Sequence, residues 1–270
     1  MQWRVIRLAH RRGVLPSLPG VRRVQLSNAD GIDWRCFGWR GSQPPAPLIY
    51  VGTPGPRRKA VIHLVDTPTG SCLAVVKLPL GAGAKDAIVQ EACVLAALAD
   101  EHYPFSPRPL HLDDSRSIAA QQFLPGKSGQ RRFGPEHQDL LRSLVLRDEV
   151  TSLADHTAAW HEQALFSLTN AGKGELGLVQ LALAELSDEH PLPACWMHGD
   201  FAPWNIRQRV HGVSTLIDWE EAVRDGLPLQ DAYHFLHLQD FLFGAHPRTH
   251  FAEVEAFAKT LEITPQHCRK

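Results

Sequence analysis

Between Leu48 and Leu78 the apolar positions fall into three short runs, LIYVGT (48–53), AVIHLVD (60–66) and CLAVVKL (72–78). They are rich in β-branched residues, and the connectors PGPRRK and TPTG are rich in turn formers. That pattern predicts three strands in an antiparallel meander. The proline-dense QPPAPL (43–48) marks the boundary before them, because such a stretch cannot continue a regular element. From Ala84 to Glu101 the period changes. Ile88, Ala92, Leu95 and Leu98 form an apolar stripe at helical spacing. SIAAQQFL (117–124) reads as a further strand, closed by Pro125-Gly126. Beyond it the pattern predicts helix, first in PEHQDLLRSLVLRDEVTSLADHTAAWHEQALFSL and then in LVQLALAELSDE. A loop, WMHGDFAPWNI, leads to a hairpin of IRQRV and VSTLIDW around His211-Gly212, and two or three helices are expected from Leu229.

These elements predict an α+β protein in three parts. Residues 1–45 are a basic N-terminal extension, 46–126 a sheet-rich lobe with one main helix, and 127–270 a mainly helical lobe. A chain of 270 residues buries a substantial core, and no internal repeat appears. Six arginines and no acid lie within the first 29 residues; Pro16 and Pro19 favour a basic surface extension over an amphipathic transit helix. The net charge of −1 gives no electrostatic footprint for nucleic acid. No apolar run reaches the ~18 residues of a membrane span. Five scattered cysteines without a C-x-x-C pair point to reduced thiols and a cytoplasmic protein. His234 and His237, three apart on a predicted helix, read as packing or surface residues rather than a metal pair.

The polar residues that punctuate this layout carry the chemistry. Lys77 ends the third strand inside AVVKL, and Glu91 lies fourteen residues later on the helix. Asp200 and Asn205 share the WMHGDFAPWNI loop, and Asp218 ends the next strand in TLIDWEEA. Singly, each residue reads as an ordinary solvated or capping side chain. Together they supply what phosphoryl transfer from a nucleotide requires. A rigid strand fixes a cation for the phosphates, and a helical carboxylate holds that cation. Carboxylate and amide oxygens suit magnesium, and a second aspartate can take the proton of an attacking hydroxyl. His198-Gly199-Asp200 to Asn205 also reproduces the H-x-D-x-x-x-x-N spacing of kinase catalytic loops.

Over about residues 46 to 240 the chain resembles the aminoglycoside phosphotransferase and choline kinase-like family, a branch of the two-lobed protein-kinase-like fold. HGDFAPWN carries the resemblance, with Gly199 where protein kinases have arginine, followed by IDWEEA in place of D-F-G and by GLPLQDAYHFL. The resemblance implies Asp200 as catalytic base, Asn205 and Asp218 as Mg²⁺ ligands, Lys77 as phosphate clamp and Glu91 as its partner. Glu220 is a candidate to assist the metal, His198 a loop anchor and Asp231 a structural cap. QQFLPG is the implied hinge, with Gln122, Phe123 and Leu124 meeting the base of ATP or GTP. The connector GTPGPRRK departs from G-x-G-x-x-G. It retains Gly52 and Gly55, and backbone donors there, or Arg57 and Arg58, are its candidates for phosphate; the arginines read equally as surface residues.

The absence of an A-P-E segment favours a small-molecule or sugar hydroxyl over a protein as acceptor. LGAGAKDAIV lacks the third glycine of a dinucleotide fingerprint, and no G-x-x-x-x-G-K-[ST] occurs. The alternative reading is a catalytically silent kinase-like protein that binds a nucleotide or a partner as a scaffold.

Overall fold

The computed structural model describes residues 34–37, 39–40, 43–156, 177, 181, 190–208, 214–244 and 250–264. The predicted helical runs across 157–176 and most of 178–189 lie outside the described residues, as does the arginine-rich stretch 1–33. Two compact units are present. One runs up to Ser128 and takes in Ile206–Glu221; the other comprises Gly129–Asn205 and the chain from Ala222 onward.

The first unit is built on a five-stranded sheet. Its strands are β1 (Ala46–Val51), β2 (Lys59–Asp66), β3 (Ser71–Pro79), β4 (Pro109–Asp113) and β5 (Ile118–Gln122), in the order β1-β2-β3-β5-β4. Neighbouring strands are antiparallel throughout, as the meander predicts for β1 to β3; the pairing of β5 with β3 and β4 lies beyond that prediction. The strand β1 starts two residues earlier than its apolar run and includes Pro47; as an edge strand it tolerates a residue with no N–H to donate. Between β2 and β3, the Asp66 carboxylate accepts the Thr69 N–H at 3.2 Å, and its carbonyl accepts the Gly70 N–H at 2.7 Å. The turn chemistry of TPTG thus sets the hairpin.

One sheet face packs Leu64, Ala74, Val76 and Ala120 against Trp39, with Trp34 and Phe37 alongside. The packing of this unit therefore reaches back to a 3-10 turn at Trp34–Phe37. Helix α1 (Gly83–Asp100) buries Ile88 and Ala92 against Ala119. Its buried stripe, Ala84-Ile88-Glu91-Leu95-Leu98, carries a carboxylate in the middle. A small second sheet joins β6 (Lys127–Ser128), β9 (Ile206–Gln208) and β10 (Thr215–Leu216), the last two forming the expected antiparallel pair.

The second unit departs from the expected run of helix. Helix α2 (Pro135–Ser143) ends where β7 (Val145–Thr151) begins, inside the stretch that reads as helical. The strand β7 pairs with β8 (Leu192–Met197), which pairs in turn with β11 (Val223–Gly226). Pairing distant in sequence overrides local propensity here. Val145, Val150 and Thr151 are β-branched, and Asp148 takes a left-handed conformation (φ 62°) at an irregularity in the ladder. Helices α3 (Gln230–Phe243) and α4 (His250–Thr260) complete the described elements. Phe133, His137, Phe201 and Phe235 form an aromatic core, with ring centroids of His137 and Phe235 4.6 Å apart.

No described helix is long and apolar enough to cross a membrane. Cys72, Cys93 and Cys195 form no disulfide.

Candidate active site

In the first unit, the register of the sheet sets Lys77 on β3 opposite Val61 of β2 and Ala119 of β5. Lys77 is buried, and so is Glu91 on α1. The lysine Nζ donates to both Glu91 oxygens, at 2.7 and 2.5 Å, and to Asp218 Oδ1 at 2.7 Å. The fourteen-residue spacing between Lys77 and Glu91 thus closes into a buried ion pair, with Asp218 as its third member. Burial alone would lower the lysine pKa; the Glu91 and Asp218 carboxylates more than reverse that and hold it above its ordinary value. Burial works to raise Asp218, but Lys77 and then Lys59 hold it well below the usual carboxylate range.

Asp218 lies just after β10 with φ at 69°, a conformation that costs about 1–3 kcal/mol at a non-glycine residue and persists where its surroundings fix it. Trp219 does the fixing. Its ring is fully buried, packs edge-on to Tyr103 and donates Nε1–H to the Leu216 carbonyl at 3.2 Å. Its backbone N–H donates to Glu91 Oε1 at 3.3 Å, which ties the segment after Asp218 to the lysine's partner.

Lys59, the first residue of β2, also enters this cluster. Its Nζ donates to Asp218 Oδ1 at 3.2 Å and to Glu220. Arg57 and Arg58 go elsewhere: Arg57 pairs with Glu221, and Arg58 Nε donates to the Gly52 carbonyl at 3.2 Å. Sequence reading passed over Lys59 as one more cation in a basic connector. Its strand parity, shared with Val61 opposite Lys77, is the signal that places it on that sheet face.

Gly52 follows β1 and donates its N–H to the Lys59 carbonyl at 3.0 Å, closing the connector, while the Gly55 carbonyl accepts the Arg58 N–H. The connector rests on Gly81, where a Cβ would come within 2.2 Å of the Pro56 carbonyl oxygen, so only glycine allows that approach. At the end of β5, Gln122 and Phe123 donate their N–H groups to the carbonyls of Arg108 and Leu73, and Leu124 is buried. Of these residues, Gly52 meets the lysine–carboxylate cluster, through the backbone carbonyl of Lys59.

In the second unit, β8 is the middle strand of its sheet, and the loop from His198 to Asn205 leaves its end. Gly199 adopts φ 82°, which glycine permits without strain. Asp231, in the first turn of α3, accepts the backbone N–H groups of His198 at 2.6 Å and Gly199 at 3.0 Å. Its burial raises its pKa, and these donors work against that rise. His198 is fully buried beside Phe201, and its Nδ1 accepts the Asp200 N–H at 3.3 Å. Phe201, Ala202 and Ile206 are fully buried. The apolar neighbours of the loop anchor it in the core.

Asn205 Nδ2 donates to the Asp200 carbonyl at 2.9 Å and to Asp200 Oδ2 at 2.8 Å. Asp200 Oδ1 meets His234 Nε2 at 3.3 Å. The bond to His234, ahead of that to Asn205, holds the Asp200 pKa below its ordinary value. His234 is the second residue that sequence reading missed, because it reads there as a packing or surface residue. Its signal was spacing: it lies three residues after Asp231 on α3, on the same helix face.

The structure thus joins Lys77, Glu91 and Asp218 in one unit and Asp200 with Asn205 in the other. Among the described residues no cluster of three or more His, Cys, Asp or Glu side chains is arranged to hold a metal ion. Asn205 and Asp218 nevertheless have the right donor chemistry for a hard cation. Both amide-hydrogen bonds of Asn205 are made by Nδ2, which leaves Oδ1 as its acceptor, and Asp218 is ionised at neutral pH.

A strand-borne lysine held by a helical carboxylate, and an H-x-D-x-x-x-x-N loop issuing from a central strand, define a protein-kinase-like phosphotransferase. The chain belongs to the Phosphotransferase enzyme family (APH), whose profile matches residues 57–262. No curated protein sequence matches it. Among solved structures it is similar to macrolide 2'-phosphotransferase MphH from Brachybacterium faecium, at 20% identity and a TM-score of 0.55, over 82% of this chain and 81% of that one. Macrolide 2'-phosphotransferase type I is similar at 16% identity and a TM-score of 0.56, over 92% and 88%. The streptomycin-ATP-APH(2")-IIa ternary complex is similar at 13% identity and a TM-score of 0.53, over 86% and 88%. At these identities the likeness shows the protein-kinase-like fold.

Proposed function

We propose that this protein moves the γ-phosphate of ATP or GTP, with Mg²⁺, onto a hydroxyl group of a small molecule or sugar. The observation that carries the reading is the buried Lys77–Glu91–Asp218 network. Two carboxylates around a buried lysine are a poor investment in stability alone, since well-packed apolar residues do as well or better. A preformed cation beside a metal-binding carboxylate is what phosphoryl transfer uses.

In this reading Lys77 holds the phosphates, and Glu91 fixes the direction of its ammonium group. Asn205 and Asp218 hold Mg²⁺ through oxygen donors, and Glu220 assists. When bound, the metal neutralises charge on the phosphate oxygens. Asp200 accepts the proton of the acceptor hydroxyl as that oxygen bonds to phosphorus and the nucleoside diphosphate leaves. Its depressed pKa keeps it ionised at neutral pH, the form a base needs. Gln122, Phe123 and Leu124 border the base of the nucleotide. The N–H groups of Gln122 and Phe123 are already engaged by the Arg108 and Leu73 carbonyls and are not among the contacts to that base. Gly52 and Gly55 shape the connector over the phosphates. A cytoplasmic location and a small-molecule acceptor agree with the scattered cysteines and the absence of an A-P-E segment.

Calorimetric titration with ATP and GTP, each with and without Mg²⁺, tests the nucleotide site. Wild type should bind one or both in a Mg²⁺-dependent manner. At nucleotide near 100 times its Kd the fold should gain about 2.7 kcal/mol. Asp218→Asn should lose the Mg²⁺ dependence; identical isotherms for the two proteins would remove Asp218 from the metal.

A further inference from the structure

The cluster around Asp218 contains one cation more than the reading above uses. Lys59 leaves the first position of β2 with its backbone tied down, since its carbonyl accepts the Gly52 N–H at 3.0 Å. Its side chain is only 16% exposed and ends between Asp218 Oδ1, at 3.2 Å, and Glu220. Lys77 donates to the same Asp218 oxygen at 2.7 Å. Three carboxylates, Glu91, Asp218 and Glu220, thus share two ammonium groups, and one of those groups covers the two carboxylates that Lys77 alone does not satisfy.

Electrostatics gives that arrangement a direction. A bare divalent cation approaching Asp218 and Glu220 has to displace the Lys59 ammonium. A bound triphosphate changes this, because it offers Lys59 strong anionic acceptors next to the connector from which it springs. We propose that Lys59 is a second phosphate-binding cation that, in the nucleotide-free protein, serves as the counter-ion of Asp218 and Glu220 and closes them to bare Mg²⁺. Metal then enters only with nucleotide, and by linkage each strengthens the binding of the other. The proposal rests on the nucleotide reading above. Arg57 and Arg58 lie outside this cluster, on Glu221 and the Gly52 carbonyl.

The test uses the full chain and the variants Lys59→Met, Lys59→Gln and Lys59→Arg, with nucleotide affinity by calorimetry and melting temperature by thermal shift. Lys59→Met should bind Mg²⁺–nucleotide about tenfold or more weakly, as loss of a charge-assisted contact requires. Millimolar Mg²⁺ without nucleotide should raise the melting temperature of Lys59→Met and not of wild type, and Lys59→Arg should behave as wild type. Lys59→Gln answers the same questions if the methionine variant fails to fold. Nucleotide affinity unchanged in the neutral variants, or equal shifts by Mg²⁺ alone in wild type and variants, would overturn the role of Lys59. Absence of ATP and GTP binding to wild type is a different result, which overturns the nucleotide reading itself and this proposal with it.

Discussion

Asp218 shows at the scale of one residue how the chain spends stability on position. It holds a left-handed backbone conformation and shares one carboxylate oxygen between two ammonium groups. Its folded pKa lies below its ordinary value, so its contribution to stability is complete above the unfolded aspartate pKa of about 3.9 and is lost as pH falls through the folded value. Lys77 is the mirror case. Its pKa is raised, so its contribution is complete below the unfolded lysine pKa of about 10.4 and is lost as pH rises through the folded value. In chelator-containing buffer, urea unfolding should show Asp218→Asn less stable than wild type at pH 7, with the gap closing as pH drops below about 4. A gap that stays constant from pH 7 to pH 2 would mean that the carboxylate's charge is irrelevant to the fold.

Lys77, Glu91 and Asp218 were legible in the sequence because each interrupts an apolar pattern or ends an element. Lys59 and His234 were not. Each sits where a polar residue is ordinary, and only their partners, more than thirty residues away, distinguish them.

At the scale of elements, the loop that bears Asp200 is set by what surrounds it. The central strand β8 delivers it, Phe201 pins it in the aromatic core, and the Asp231 carboxylate on α3 clamps two of its N–H groups. Hydrogen bonds to a charged group contribute about 1.5–3 kcal/mol each, and truncation leaves the buried His198 N–H and the half-buried Gly199 N–H without that partner. Asp231→Ala should therefore lower kcat at least about tenfold, as a loosened catalytic loop requires, with nucleotide affinity held within about twofold. A fall in nucleotide affinity with kcat unchanged would contradict the clamp.

The strands β7 and β8 also show where sequence reading fails. VLRDEVT carries a helical pattern on paper, and LPACWM is too short to announce itself. Each becomes a strand by pairing with the other across more than forty residues, a contact no local window contains. The meander β1–β3 was legible for the opposite reason, since its partners are adjacent in sequence and its turns are written in Asp, Thr, Pro and Gly.

For the whole molecule, membership of the two units does not follow chain order. The segment Ile206–Glu221, which carries Asp218, belongs to the first unit through pairing of β9 with β6 and donation of the Leu216 N–H to the Phe105 carbonyl at 2.7 Å. Lys77, Glu91 and Asp218 are thereby built into one unit, although 141 residues separate Lys77 from Asp218. Membership in the phosphotransferase family and the intact set of five residues favour an enzyme over a silent scaffold.

The most direct test of that account follows the phosphate itself. Wild type and Asp200→Ala would be incubated with γ-labelled ATP or GTP, Mg²⁺ and a panel of hydroxyl compounds that includes a macrolide and an aminoglycoside. The account predicts labelled product with wild type and a loss of about 10²–10⁴-fold with Asp200→Ala, the size of a general-base contribution, while both proteins bind nucleotide. Equal transfer by the two proteins would contradict the role of Asp200. Nucleotide binding by wild type with no labelled product from any hydroxyl compound, and no release of labelled phosphate, would contradict the enzyme and leave the scaffold.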